Sequence, residues 1–431
     1  MALGGTLLAA VLLALGLPGL RSETCSVDQA EKPQLTSLLE VMLRSWNASA
    51  TPNPSILLAL RLATDHNLAV EKTMVLRLKE YAVQQVVNNQ TFSSGLVALY
   101  VLALQASCEN PRNVTALNSN IDLVKILKEK YQEELRNIEE HGRPLSNYFQ
   151  IGLDIIALCL QDAPVNVSSV LGTGGVNMGH GHQEFSVDTA AVVVLGLTCV
   201  VRRGNLTPEE VETITLTLRF LVQKILDQSQ SNGEIGNIYS TGLAMQALFV
   251  SEQHCNSSQW DCNKTLAAAL RAIPEGKFNN PMAASQITPS LEGRTYLNAK
   301  GLNCSADQDN LPIISTPAPP PISNLSEITV GYRIIDGLNN TFDISISVTV
   351  TNGSTFLDVM KKAQGVDPQN FRFEVQQSSW GPYVVAINGL IARNSERTYW
   401  QLLSGTTPLD QGVGDYKPSD GEHLVARFTT W

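Results

Sequence analysis

The sequence predicts an α+β multidomain protein: an N-terminal α/α six-hairpin barrel (toroid) followed by a smaller C-terminal β-rich domain. Three observations predict it. Apolar segments rich in small residues recur six times before residue 300, with polar amphipathic segments between them. A Pro-rich stretch then breaks the pattern, and beyond it the composition turns to short β-branched and aromatic runs. A chain of 431 residues is also too long for one ordinary core.

Residues 7–17 are an apolar run too short to cross a bilayer but suited to a secretory leader, so 1–22 is expected to be a signal peptide. A buried N-terminal helix is the alternative. No later stretch holds about twenty apolar residues without a charge, so membrane insertion is not expected. Residues 23–310 carry the barrel. Its inner helices are expected at 53–63, 94–104, 150–160, 188–200, 240–250 and 281–291, where Ala, Gly and Ser permit close approach. Segments 121–141 and 208–229 have the amphipathic pattern of outer helices. Residues 311–325 read as a stiff Pro-rich linker. Residues 326–431 carry strands expected at 328–335, 342–350, 371–376, 383–387, 399–403 and 424–430, with a helix near 355–364. Turn signals include Asn352-Gly353 and Asn388-Gly389.

Hydrophobic residues make up 43% of the chain and charged ones 16%, which supports a large interior. The net charge of −10, with no basic run, argues against nucleic acid as a partner. Eleven Asn-x-Ser/Thr sequons point to a secreted, extracellular glycoprotein: Asn47, Asn89, Asn113, Asn166, Asn205, Asn256, Asn263, Asn303, Asn324, Asn339 and Asn352. The seven cysteines are Cys25, Cys108, Cys159, Cys199, Cys255, Cys262 and Cys304. Their spacing suits no zinc site, and in a secreted chain they imply three disulfides and one odd thiol. Spacing alone does not fix the pairing.

No catalytic constellation stands out. The serine-hydrolase elbow, zinc-protease, Walker and dinucleotide motifs are all missing, and no catalytic cofactor is implied. Toroids can be glycosidases, for which Asp154, Asp188 and Glu234 are the candidate carboxylates, but nothing marks two of them as a pair. An enzyme of this class therefore stands as the less favoured reading, beside a purely protein-binding scaffold.

Polar residues at the heads of the apolar segments are more informative. Ser146 to Gln150, Asp188, Asn237, Ser240 and Gln286 would converge on one mouth of a barrel. Asp188 and Ser240 suit helix caps, a role that can coexist with binding, whereas Gln286 does not. A ring of amides and hydroxyls suits a large neutral ligand fringed with amides. In the C-terminal half, Ser379, Trp380, Gly381, Pro382, Tyr383 and Val384 form one aromatic–glycine edge. Trp400, Gln401, Leu402, Leu403, Ser404, Gly405, Thr406, Thr407, Pro408 and Leu409 form another. Such edges cover flat apolar ligands, although Trp380 and Trp400 are equally readable as core aromatics.

Five motifs carry a resemblance over nearly the whole mature chain. They are SVDTAA at 186–191, GNIYSTGLAMQAL at 236–248, NPMAASQ at 280–286, SWGPY at 379–383, and TYWQLLSG with PL at 398–409. They resemble the eukaryotic cobalamin-transport glycoproteins, the family of intrinsic factor, transcobalamin and haptocorrin. The number of sequons and the segment at 130–150 are most similar to the haptocorrin branch, with the intrinsic-factor type as runner-up.

The resemblance implies a monomeric carrier that holds cobalamin, and corrinoid analogues, between its two domains, with uptake by a cell-surface receptor. It implies corrin contacts from Ser146, Gln150, Asp188, Asn237 and Gln286, closed over by 379–384 and 400–409. It also implies the pairs Cys25–Cys262, Cys108–Cys304 and Cys159–Cys199, with Cys255 left over. Phe149 replaces a Tyr common in the family, Leu96 replaces a polar residue, and Asn237 stands where intrinsic factor has Asp. Transcobalamin has a cobalt-binding His just before SVDTAA. Here Gln183, Glu184 and Phe185 precede it, with His180 and His182 further upstream in a Gly-rich loop. The expectation is that cobalt keeps its water, that no protein side chain ligates it, and that binding survives acid.

Overall fold

The computed structural model describes residues 25–46, 52–88, 90, 92–172, 185–254, 260–311, 327–378, 381–393, 396–409, 411–414 and 416–430. Helices in its first part are α1 (Lys32–Arg44), α2 (Pro54–Arg61), α3 (Leu68–Val87), α4 (Ser94–Ala106), α5 (Leu123–His141) and α6 (Tyr148–Leu160). They continue with α7 (Ser168–Gly172), α8 (Val187–Arg203), α9 (Pro208–Leu226), α10 (Ile238–Val250), α11 (Cys262–Ala272) and α12 (Pro281–Leu291). Each even-numbered helix packs on the next, and α12 returns to α2, so the six close a ring. Outside it, α3 packs on α2, α5 on α4 and α6, α9 on α8, α11 on α10, and α1 on α12.

The two layers differ as their sequences require. Every residue of α4 except Gln105 is buried, as an inner wall demands. Outer α5 buries Leu123, Leu127, Tyr131, Leu135 and Ile138, one helical face. Glycine sets the inner spacing. A Cβ on Gly152 would lie 2.7 Å from Val192 Cγ2, and one on Gly242 would lie 2.7 Å from the backbone oxygen of Gln286.

Asn53, Ser93, Asn147, Ser186, Asn237 and Asn280 each cap an inner helix by accepting a first-turn N–H. The helix starts meet one another. Gln150 Oε1 accepts from the Gly95 N–H at 3.2 Å, and Asn53 Nδ2 lies 2.8 Å from Met282 Sδ. The helix ends meet as well: Gln105 Nε2 donates to the Leu160 carbonyl at 3.3 Å, and Arg202 donates to that of Val250 at 2.9 Å. The inner helices therefore run parallel, with their N-termini around one mouth. The chain leaves α12 at the opposite end, where the 3-10 turn Tyr296–Ala299 packs against α4, α6 and α8.

Disulfides join Cys25 to Cys262, Cys108 to Cys304 and Cys159 to Cys199. Cys255, the expected signal peptide and residues 312–325 of the expected linker lie outside the described residues. A short hairpin of β1 (Val114–Ala116) and β2 (Ser119–Ile121) packs on α3. Ile121, read above as helical, is thus a strand residue, because Asp122 caps α5 by accepting from Lys125 N–H at 2.9 Å. Likewise α9 stops at Leu226 rather than 229, since Ser229 bridges to Ile235.

The C-terminal part contains β3 (Glu327–Asp336), β4 (Asp343–Thr351), α13 (Phe356–Val366), β5 (Phe373–Ser378), β6 (Gly381–Ile387), β7 (Leu390–Ile391), β8 (Thr398–Ser404), β9 (Thr407–Pro408) and β10 (His423–Thr430). One sheet has the order β4-β3-β10-β8-β9, with only β10 and β3 parallel; the other is β5-β6-β7. Asn388 and Gly389, both at positive φ, make the two-residue turn between β6 and β7. This part has its own core, built around Tyr332, Phe356, Phe371 and Phe428.

Candidate ligand-binding site

The mouth of the ring gathers groups that can accept or donate but are not fully used. Because Ser186 caps α8, Asp188 is released from that duty. Its Oδ2 accepts from Ser240 Oγ at 3.2 Å, while Oδ1 is buried with no hydrogen-bond partner among the described residues. Burial outweighs the Ser240 hydrogen bond and pushes the Asp188 pKa up to about 6. Asn237, not Ser240, caps α10, its Oδ1 accepting from Tyr239 N–H and Ser240 N–H, both at 2.9 Å. What Asn237 can offer a ligand is its amide donor end. Gln150 is alike, because Gly95 N–H occupies its Oε1. Gln286 is buried, and its Oε1 has no partner among the described residues. Ser146 stands one residue before the α6 cap, with its N–H donating to Glu134 Oε2 at 3.1 Å.

The successive helices α6, α8, α10 and α12 thus present donor, acceptor, donor and acceptor. This alternation suits primary amides, which carry both functions. An acceptor left buried and unpaired costs about 1–3 kcal/mol, and an N–H from a ligand would recover it.

Tyr296 was not singled out from the sequence. Burial, and then the nearby Asp188 charge, raise its phenol above the ordinary value. Its N–H donates to Gln246 Oε1 at 3.0 Å, which ties the 3-10 turn at the far end of the ring to α10. No motif marks it; its position after the sixth apolar segment was the only signal.

In the C-terminal part, burial divides the candidates. Val384, Trp400 and Leu403 are buried, whereas Tyr383, Gly405, Thr406, Thr407 and Pro408 are exposed. Trp400 takes the core alternative: its ring stacks on Phe342 at 6.4 Å and tilts against Phe428 at 5.2 Å. Only its indole Nε1 lacks a partner among the described residues. The Ser404 hydroxyl is committed to Glu422 at 2.6 Å. Gln401, Leu402 and Leu409 are half-buried. Ser379, Trp380, His180 and His182 lie outside the described residues.

Of the carboxylates considered for catalysis, Asp154 is fully buried beside Glu134, and burial followed by the Glu134 charge holds it well above its ordinary pKa. Glu234 accepts from Asn232 Nδ2 at 2.9 Å within a tight turn. Sequon residues Asn113, Asn166, Asn205, Asn263, Asn303, Asn339 and Asn352 are all exposed, while Asn47, Asn89, Asn256 and Asn324 lie outside the described residues. No group of three or more His, Cys, Asp or Glu that could hold a metal occurs among the described residues.

The family described as eukaryotic cobalamin-binding protein matches residues 7–324. The chain belongs to this family. A domain of unknown function (DUF4430) matches residues 353–430. Among relatives of the cobalamin-binding family, human transcobalamin-1 is 38% identical, over 98% of both chains. Human cobalamin binding intrinsic factor is 36% identical, over 95% of this chain and 94% of its own. Human transcobalamin-2 is 33% identical, over 98% and 99%. A solved structure of haptocorrin in complex with Cbi aligns with a TM-score of 0.73 and 36% identity, over 94% of this chain and 99% of that one. These relatives are named for binding or carrying a ligand, not for catalysis.

Proposed function

We propose that this cobalamin-binding family member is a secreted, monomeric carrier that takes up cobalamin and related corrinoids without transforming them. The observation that carries the reading is the run of unsatisfied amide-compatible groups around the ring mouth: Gln150, Asp188, Asn237 and Gln286. Corrin side chains end in primary amides, and a rigid ligand that pairs many of them loses little conformational freedom on binding. The edge at half-buried Pro382 and exposed Tyr383, and the ribbon from Ser404 to Leu409, would close over the other face. Likeness to haptocorrin solved with Cbi favours acceptance of corrinoids lacking the nucleotide tail. Exposed sequons and three disulfides favour an extracellular setting. An enzyme is disfavoured because Asp154 is sealed from solvent and Glu234 is engaged in its own turn, which leaves Asp188 without a catalytic partner. Delivery by a cell-surface receptor goes with the carrier reading.

Cobalt, as cargo, is expected to keep its water. Titrating the full chain with hydroxocobalamin and with cobinamide, followed by visible absorption, tests both points. One equivalent of each should bind, with the aquo band retained. Binding of cobalamin alone would favour the intrinsic-factor type, an imidazole-type band would bring in His180 or His182, and binding of neither would reject the carrier reading.

A further inference from the structure

We infer that Glu422 is a positioning residue, tying the β8–β9 ribbon to the connection before β10, and through that connection to the strand start at Pro382, by hydrogen bonds to Ser404 on one side and to Tyr416 and Ser419 on the other; this rests on the carrier reading. The Glu422 carboxylate accepts from Ser404 Oγ at 2.6 Å, from the Tyr416 hydroxyl, and from Ser419 N–H at 2.8 Å. Burial would raise its pKa, but these donors outweigh burial and hold it below the ordinary value.

The ribbon needs such a buttress. Strand β9 has only two residues, is the sheet edge and pairs with β8 alone. On the other side of Glu422, Val413 and Tyr416 are fixed to the start of α13. Phe356 N–H donates to the Tyr416 carbonyl and Leu357 N–H to that of Val413, each at 2.7 Å. The neighbouring Gly414 presses on β6: a Cβ on it would lie 2.8 Å from Pro382 Cγ. Ser404 and Pro382, one from each stretch proposed to close over the ligand, are therefore linked through Glu422, Tyr416 and Gly414. A clamp held in shape before the ligand arrives acts mainly on escape, not on capture.

The test is stopped-flow association and chase dissociation of cobinamide with full-length wild type, Glu422→Gln, Tyr416→Phe and the double variant, with thermal midpoints measured alongside. A glutamine offers one acceptor oxygen and cannot satisfy all three donors. Both single variants should release ligand about tenfold faster or more, with association within about twofold of wild type. The double variant should be no faster than Glu422→Gln, because Tyr416 acts through Glu422. Wild-type release rates in both variants, with one equivalent bound, would overturn the clamp. So would additive effects, or slowed association that tracks the thermal midpoint. Absence of binding by wild type would instead remove the carrier reading and the clamp with it.

Discussion

At the scale of single residues, Asp188 holds the most distinctive chemistry. Its pKa of about 6 lies above the ordinary value of 3.8, so folding favours its protonated form. The stability this contributes is complete below the ordinary value and is lost as pH rises through about 6. It amounts to at most about 3 kcal/mol, at about 1.4 kcal/mol per tenfold. In urea unfolding of the ligand-free chain, the stability at pH 4 relative to pH 8 should therefore be greater in wild type than in Asp188→Asn by most of this increment. Ligand N–H donors favour the carboxylate, so binding between pH 5 and 6 should release a proton. Calorimetry in two buffers of different ionisation enthalpy would count it. The expectation that binding survives acid concerns a cobalt with no titrating protein ligand; protonation of Asp188 should narrow it by up to about a hundredfold in affinity on acidification. Asp188 was legible in the sequence because it heads an apolar segment. Its freedom from capping was not, because Ser186 and Asp188 are both acceptable caps and only backbone geometry chooses between them.

At the scale of elements, the ring depends on close helix approach and on one buried ionic cluster. Gly242 abuts the backbone of Gln286 across the α10–α12 contact. Gly242→Ala should cost about 1–3 kcal/mol of stability and displace Gln286, which would weaken cobalamin binding beside a conservatively filled surface control. Arg61, buried at the end of α2, pairs with Glu71 on α3 at 2.7 Å and with Asp307, and donates to the Ala106 carbonyl at 3.3 Å. His66 lies 3.2 Å from Glu71, so the cluster pins the 303–311 segment to the α2–α3 turn. Replacing Arg61 with Leu leaves two carboxylates uncompensated and should destabilise by about 3–5 kcal/mol in chemical unfolding. The elements themselves were legible: apolar periodicity located the inner helices, and the β-branched runs located the longer strands. The β1–β2 hairpin was hidden, because strands of three residues are too short for alternation to register. Arg61 was hidden too, since a charge inside an apolar segment gives no sign of partners found 246 residues away.

At the scale of the whole molecule, the sequons have a geography that one-dimensional reading does not reveal. Asn113, Asn166, Asn205, Asn263 and Asn303 all follow the ends of inner helices, and so lie at the end of the ring opposite the mouth. Enzymatic removal of glycans from the native protein should leave corrinoid affinity unchanged while making the chain easier to proteolyse. Loss of binding would place a glycan at the site. The two-part architecture was readable from composition, but the division of the C-terminal candidates was not. Alternation along β8 sends Trp400 into the core and commits Ser404 to Glu422, which leaves the exposed Gly405–Pro408 tip as the part of that stretch free to meet a ligand.

The most direct test of the account is calorimetric titration of cobalamin into the ligand-free full chain, beside an Asp188→Asn, Gln286→Leu double variant. One site is expected in the wild type and affinity lowered by at least about a hundredfold in the variant, since Asp188→Asn removes the charge of one acceptor proposed to meet ligand amides and Gln286→Leu removes the other outright. Equal affinity in both proteins, with the variant folded, would contradict the claim that the ring mouth holds the corrin.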